Sequence, residues 1–232
     1  MNRFLALVSF APFLALAACA GNATDQGAAA DEAALTSLNA ATCATPNAIT
    51  GPLKDASGNA IAGGAITTLN GCILGKTGET GAATMTRATA ILNDTQKFST
   101  LTNDDKSPTF SKFSPLASSG TPTTGTTQEV DVSLAGDFTP SGRLLVKRKM
   151  NADGSYDATI TNSTDFKATI LFFPVTALKA GDLKLTVKFT PQANGLTAIG
   201  QSSVILQQQQ DMAPANSQLV SNLFTWLQTQ LQ

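Results

Sequence analysis

Few residues in this chain can make or break bonds. Histidine is absent from all 232 residues, and cysteine occurs three times, at Cys19, Cys43 and Cys72. Without an imidazole there is no Ser-His-Asp or Cys-His catalysis, no histidine zinc site and no ordinary proton shuttle near neutrality. A serine activated by lysine needs a spacing such as S-x-x-K, which does not occur, and G-x-S-x-G is absent too. Gly71-Cys72-Ile73-Leu74-Gly75-Lys76-Thr77 looks at first like a phosphate-cradling loop. That loop needs a glycine where Asn70 stands, so a turn is expected instead. Asn151, Asp153, Gly154 and Asp157 are similar to a fragment of a calcium loop. With Gly154 at the sharp turn, the first ligand position falls on Lys149 and the closing acid on Ile160, and neither can serve. Carboxylate pairs form in space rather than in sequence, and Asp104-Asp105 sit in a polar stretch that favours solvation. No catalytic residue, cofactor or metal is expected, and a non-enzymatic role is favoured.

The basic residues are unevenly placed. Arg143, Lys147, Arg148, Lys149, Lys167, Lys179, Lys184 and Lys188 face only Asp153, Asp157, Asp165 and Asp182 within 143–188, a local balance of +4. Of these, Arg143, Lys147, Arg148, Lys149, Lys184 and Lys188 are the candidate surface patch, for anionic headgroups, lipopolysaccharide or an acidic glycan. The favoured alternative is that they solubilise an exposed sheet face and guard its edges. The whole chain carries -1, so no global field draws nucleic acid. Charged residues make up 13%, against about a quarter in ordinary domains, which suits an exported protein.

The elements that would carry such groups begin with an apolar leader. Met1-Asn2-Arg3 precedes a run from Phe4 to Ala18 that is broken by Asn22, Thr24 and Asp25. A positive start, a short apolar run and small residues before a break are the parts of a secretory signal. The run is short for a membrane span. Leu16-Ala17-Ala18-Cys19 resembles the lipobox of bacterial lipoproteins. The resemblance implies cleavage before Cys19, diacylation of Cys19 and attachment to a membrane through it, since more than one acyl chain is needed for stable anchoring. Ala20 stands where an aspartate would favour inner-membrane retention, so the resemblance points to an outer-membrane lipoprotein facing the periplasm. With Cys19 assigned to lipid, Cys43 and Cys72 remain as a pair in an oxidising compartment, and a disulfide is expected. The alternative, a redox-active pair, normally wants closer spacing.

Residues 1–18 are thus the signal peptide, 19–37 the lipidated cysteine and a flexible tether, and 38–232 a single α+β domain. Its first part, 38–127, reads as loop-rich and disulfide-stapled. It holds a short helix over 33–41, turns over 45–64, a strand at 65–69, a helix over 82–98 and a long irregular connection over 99–127. From Gln128 the period changes to two. Val130, Val132 and Leu134 alternate with polar residues, and so do Leu183, Leu185, Val187 and Phe189. Short turns between such runs predict an antiparallel meander of about six strands over 128–207. Leu219, Leu223, Trp226, Leu227 and Leu231 then mark a helix over 214–231 that must bury one face. This element order resembles the helix-grip arrangement, which implies a ligand pocket between sheet and terminal helix. The expected function is a lipid-anchored module binding an apolar or amphipathic ligand. The alternative is an assembly lipoprotein with an envelope protein partner.

Overall fold

The computed structural model describes residues 35–43, 46–94, 97, 110–134, 139–170, 172–207 and 213–232. The leader, Cys19, most of the tether and Asp104-Asp105 lie outside them. No helix among the described residues is long and apolar enough to cross a membrane.

Helix α1 (Ala40–Cys43) is a single turn rather than the helix expected over 33–41. It starts late because Asn39 caps it, its side chain accepting from Thr42 N at 2.9 Å. Strands β1 (Asn47–Lys54) and β2 (Ala60–Leu74) form a hairpin where turns were expected to dominate. The turn signals are real but compact: Asp55 Oδ1 accepts from Ser57 N and Asn59 N, both at 2.9 Å, and Gly58 takes a φ of 84°. Helix α2 (Gly81–Asn93) is capped by Thr80 and buries Met85, Ala88, Ile91 and Leu92.

The connection expected over 99–127 is in fact partly strand, since β3 (Phe110–Thr121) pairs with β4 (Gly125–Leu134). Its Ser, Thr and Pro content hid an edge strand, which needs no two-sided apolar pattern. Strands β5 (Ser141–Met150), β6 (Tyr156–Asn162), β9 (Leu183–Gln192) and β10 (Gly195–Ile205) follow the alternation read in the sequence. Between β6 and β9 the hairpin β7 (Phe166–Ile170) and β8 (Phe173–Leu178) leaves the meander. Helix α3 (Ala213–Leu231) closes the chain.

Ten strands among the described residues therefore join one antiparallel sheet, in the order β1-β2-β10-β9-β6-β5-β4-β3, with β7 touching β5 and pairing with β8. The expected count of about six covered 128–207 alone: β8 adds to it there, β2 extends the strand expected at 65–69, and β1 and β3 carry weak alternation. The architecture is otherwise as read: α+β, antiparallel, packed on a C-terminal helix, with Cys43 and Cys72 disulfide-bonded.

One face of the sheet is covered twice. Helices α2 and α3 cover the β2–β10–β9 part, where Val220, Phe224, Leu227 and Leu231 are buried against Leu69, Ile73 and Leu196. Each such side chain contributes about 1.5–3 kcal/mol by leaving water. Phe166, Leu178, Val130, Val132, Leu144 and Val146 form a second cluster under the β7–β8 hairpin. Buried Asn162 ties that hairpin down, donating to Lys179 O at 2.6 Å and accepting from Leu183 N at 2.8 Å. The other face of the sheet meets solvent.

Candidate functional site

The covered face holds the candidate site. Alternation on each strand and the register between strands bring one row of side chains together on it. Thr126 of β4 lies opposite Arg148 of β5, which lies opposite Ala158 of β6. Ala158 pairs with Val187 of β9, Val187 with Gly200 of β10, and Gly200 with Leu69 of β2. Ala158 and Gly200 are the small members, and a hollow remains above that part of the row.

The hollow is a cavity of about 40 Å³. Leu69, Leu185, Val187, Phe189 and Gly200 form its floor; Leu92 of α2 and Val220, Leu223, Phe224 and Leu227 of α3 form its roof. Every lining residue is apolar. The volume is little more than one water's share of the liquid, roughly 30 Å³, and far below the ~300–1,000 Å³ of ligand pockets. In this conformation the sheet–helix interface is nearly filled. Gly71 sets how closely α3 approaches, because a Cβ there would lie 2.8 Å from Cζ of Phe224.

Beside the cavity sits a buried cation. Arg148 is 6% exposed. Its Nη1 donates to Leu92 O at 3.1 Å and to Asn93 Oδ1 at 3.2 Å, and its Nη2 donates to Gln128 Oε1. Gln128 is held in turn by donating to Leu116 O at 2.8 Å, and Tyr156 OH donates to Asn93 Oδ1 at 3.0 Å. Burial holds Arg148 below the usual guanidinium value, opposed by its attraction to Tyr156. Burial likewise pushes Tyr156 up to about 12, although the Arg148 charge pulls the other way.

This corrects one member of the basic patch. Arg148 was expected on a solvent face, yet it shares the inward parity of Leu144 and Val146. Arg143, Lys147 and Lys149 on β5, with Lys184 and Lys188 on β9, take the outward parity. Acids interleave them: Asp157 pairs across the strands with both Lys149 and Lys188. Arg143 donates to Asp131 at 2.8 Å and Glu129 at 3.0 Å. Sequence distance concealed these neighbours, since Glu129 and Asp131 precede the basic stretch by a strand. A polar hollow of about 560 Å³, open to solvent, lies against Lys112, Asp131, Arg143 and Asp165.

The motif-like stretches are turns. After Gly75, Lys76 N donates to Glu79 Oε2 at 2.8 Å, so this turn closes on its own acid rather than on a phosphate. Asn151 to Ser155 forms the β5–β6 turn, with Gly154 at a φ of 76° and Asp153 accepting from Ser155 N at 2.9 Å. The sequence reading missed the tip of the β7–β8 hairpin, where Phe172 and Phe173 are 97% and 72% exposed. The Phe-Phe pair was visible in the sequence, but only as the end of a strand run starting at Phe166.

No family model and no curated protein matches this sequence. Among solved structures, the chain is similar to a STAR-related lipid transfer protein fragment from Xanthomonas axonopodis, at 14% identity and a TM-score of 0.43, covering 78% of this chain and 98% of that one. It is also similar to Ara h 8.0201, at 12% identity and a TM-score of 0.40, covering 72% of this chain and 97% of that one. No residue of this chain takes a role from either.

Proposed function

We propose that this chain is a lipid-anchored envelope protein whose domain binds an apolar or amphipathic ligand between its sheet and its C-terminal helix. The observation that carries the reading is the wholly apolar hollow roofed by α2 and α3. Binding requires α3 to move outward, because the present volume holds no chain. The order of sheet and terminal helix resembles the helix-grip arrangement, in which a curved sheet wraps a C-terminal helix around a cavity. The lipobox-like Leu16-Ala17-Ala18-Cys19 supports the anchor, and the missing histidine supports binding over catalysis.

The test uses the full chain carrying Cys19→Ala, exported and purified from periplasm without detergent. The variant is expected in the soluble fraction, with the wild type in the membrane. Native mass spectrometry is expected to show a discrete added mass that passes into organic solvent. A clean unliganded mass, with the Cys43–Cys72 bridge closed, overturns the ligand reading.

A second reading has its own observation. The exposed Phe172-Phe173 tip suits a protein contact, as in an assembly lipoprotein. A stoichiometric envelope partner that survives salt and is lost with Phe172→Asn supports that reading.

A further inference from the structure

Two buried side-chain atoms among the described residues have no hydrogen-bond partner: Arg148 Nε and Thr126 Oγ1. They are not scattered. Thr126 and Arg148 are directly opposite each other on β4 and β5, on the covered face, where facing Cβ atoms stand about 4.5–5.5 Å apart. Both atoms carry a hydrogen to donate. An N–H and an O–H on facing residues of one covered face, neither with an acceptor, leave a place for an acceptor from outside the chain.

Charge gives the same description. The acceptors that Arg148 does reach (Leu92 O, Asn93 Oδ1 and Gln128 Oε1) are all neutral. No carboxylate among the described residues forms an ion pair with it. A buried cation without a counter-charge is strongly unfavourable. The C-terminal turn of α2 offers a partial negative charge, which offsets only part of that.

Position then selects the ligand's other end. Thr126 and Arg148 begin the row whose far members Val187, Gly200 and Leu69 floor the apolar cavity. Leu92 joins the two regions, since its side chain lines the cavity while its carbonyl accepts from Arg148. We infer that the ligand is an aliphatic amphiphile whose carboxylate is held by Arg148 Nε and Thr126 Oγ1, with its chain under α3. Two donors match the two oxygens of a carboxylate, and a guanidinium N–H to a carboxylate is a charge-assisted hydrogen bond. This inference rests on the ligand-binding reading above.

The test titrates the full chain carrying Cys19→Ala with dodecanoate and dodecyl phosphate, each below its micellar concentration, and with dodecanol below its solubility limit. Calorimetry gives the affinities. Trp226, the one tryptophan of the chain, lies on α3 and reports its displacement. Dodecanoate is expected to bind about tenfold or more tightly than dodecanol, as for a charged hydrogen bond in a buried site. Arg148→Gln should bring that ratio to near one. Thr126→Val removes only an unpartnered hydroxyl, so it keeps the fold and should lower the ratio several-fold. Equal binding of acid and alcohol by the wild type, a ratio that survives in Arg148→Gln, or a preference for the phosphate overturns the inference. The first of these means that a buried water fills the gap, and the ligand-binding reading stands. Failure of every probe to bind overturns both.

Discussion

Phe172 departs from local preference in two ways. It takes a φ of 72°, in the left-handed region that costs a bulky residue about 1–2 kcal/mol. It is also 97% exposed, so burial does not offset that cost. Asparagine tolerates this conformation far better. Phe172→Asn is therefore expected to raise stability by about 0.5–1 kcal/mol, seen as a higher urea midpoint. A lower midpoint would mean that the ring makes contacts its exposure does not suggest. Arg148 shows the opposite situation, a charge whose cost lies in its burial rather than its backbone. Both are residues where local rules give way, which is where function is most often found.

At the scale of elements, α2 is held by its own capping turn. Glu79 accepts from Arg87 Nε and Nη2, both at 2.7 Å, and from Lys76 N at 2.8 Å. The Arg87 guanidinium, more than the Lys76 amide, holds the Glu79 carboxyl at about 2 against its ordinary 4.5. The charged form is thus favoured by folding. Its stabilisation is complete above the unfolded value near 4.5 and is lost as pH falls through about 2. Urea midpoints of the wild type should drop across that window more steeply than those of Glu79→Gln, which has no such carboxyl. Parallel curves would show that other carboxylates govern acid stability. The same element was legible in advance, because Met85, Ala88 and Leu92 lie at helical spacing, whereas its end at Asn93 was not. Asp94 closes the helix, its N–H donating to Ala90 O and Ile91 O, a choice that the threonine-rich sequence around it does not announce.

For the whole molecule, the cross-link at Cys43–Cys72 spans a sequence separation of 29. It ties α1 to β2, and Gln228 of α3 donates to Cys43 O at 3.1 Å, so three elements meet there. Closing such a loop in the unfolded chain is worth about 3–4 kcal/mol in the chain-entropy model. The double variant Cys43→Ser, Cys72→Ser should lose about that much stability by urea denaturation. An unchanged midpoint would mean that the N-terminal segment is held by other contacts, such as Asn194 Oδ1 accepting from Leu38 N at 2.7 Å.

What the sequence determined by itself was local. Alternation in 183–189 set a strand and its two faces, and the stripe from Leu219 to Leu231 set a helix with one face to bury. Backbone geometry alone imposes those periods. The cysteine pair could be read because few other roles remained for it. Tertiary structure decided the rest. Strands β1 and β3 take their places by pairing with stronger neighbours, which supplies the hydrogen bonds their polar residues do not advertise. The β7–β8 hairpin leaves the meander because Phe166 has a second core to fill and Asn162 to secure it. The parity that turns Arg148 inward was present in the sequence, but charge type argued for solvent. That Thr126 faces it, and that both face the row leading to the cavity, depends on register across six strands. Register is set by which side chains must be buried together, and one segment cannot encode that choice.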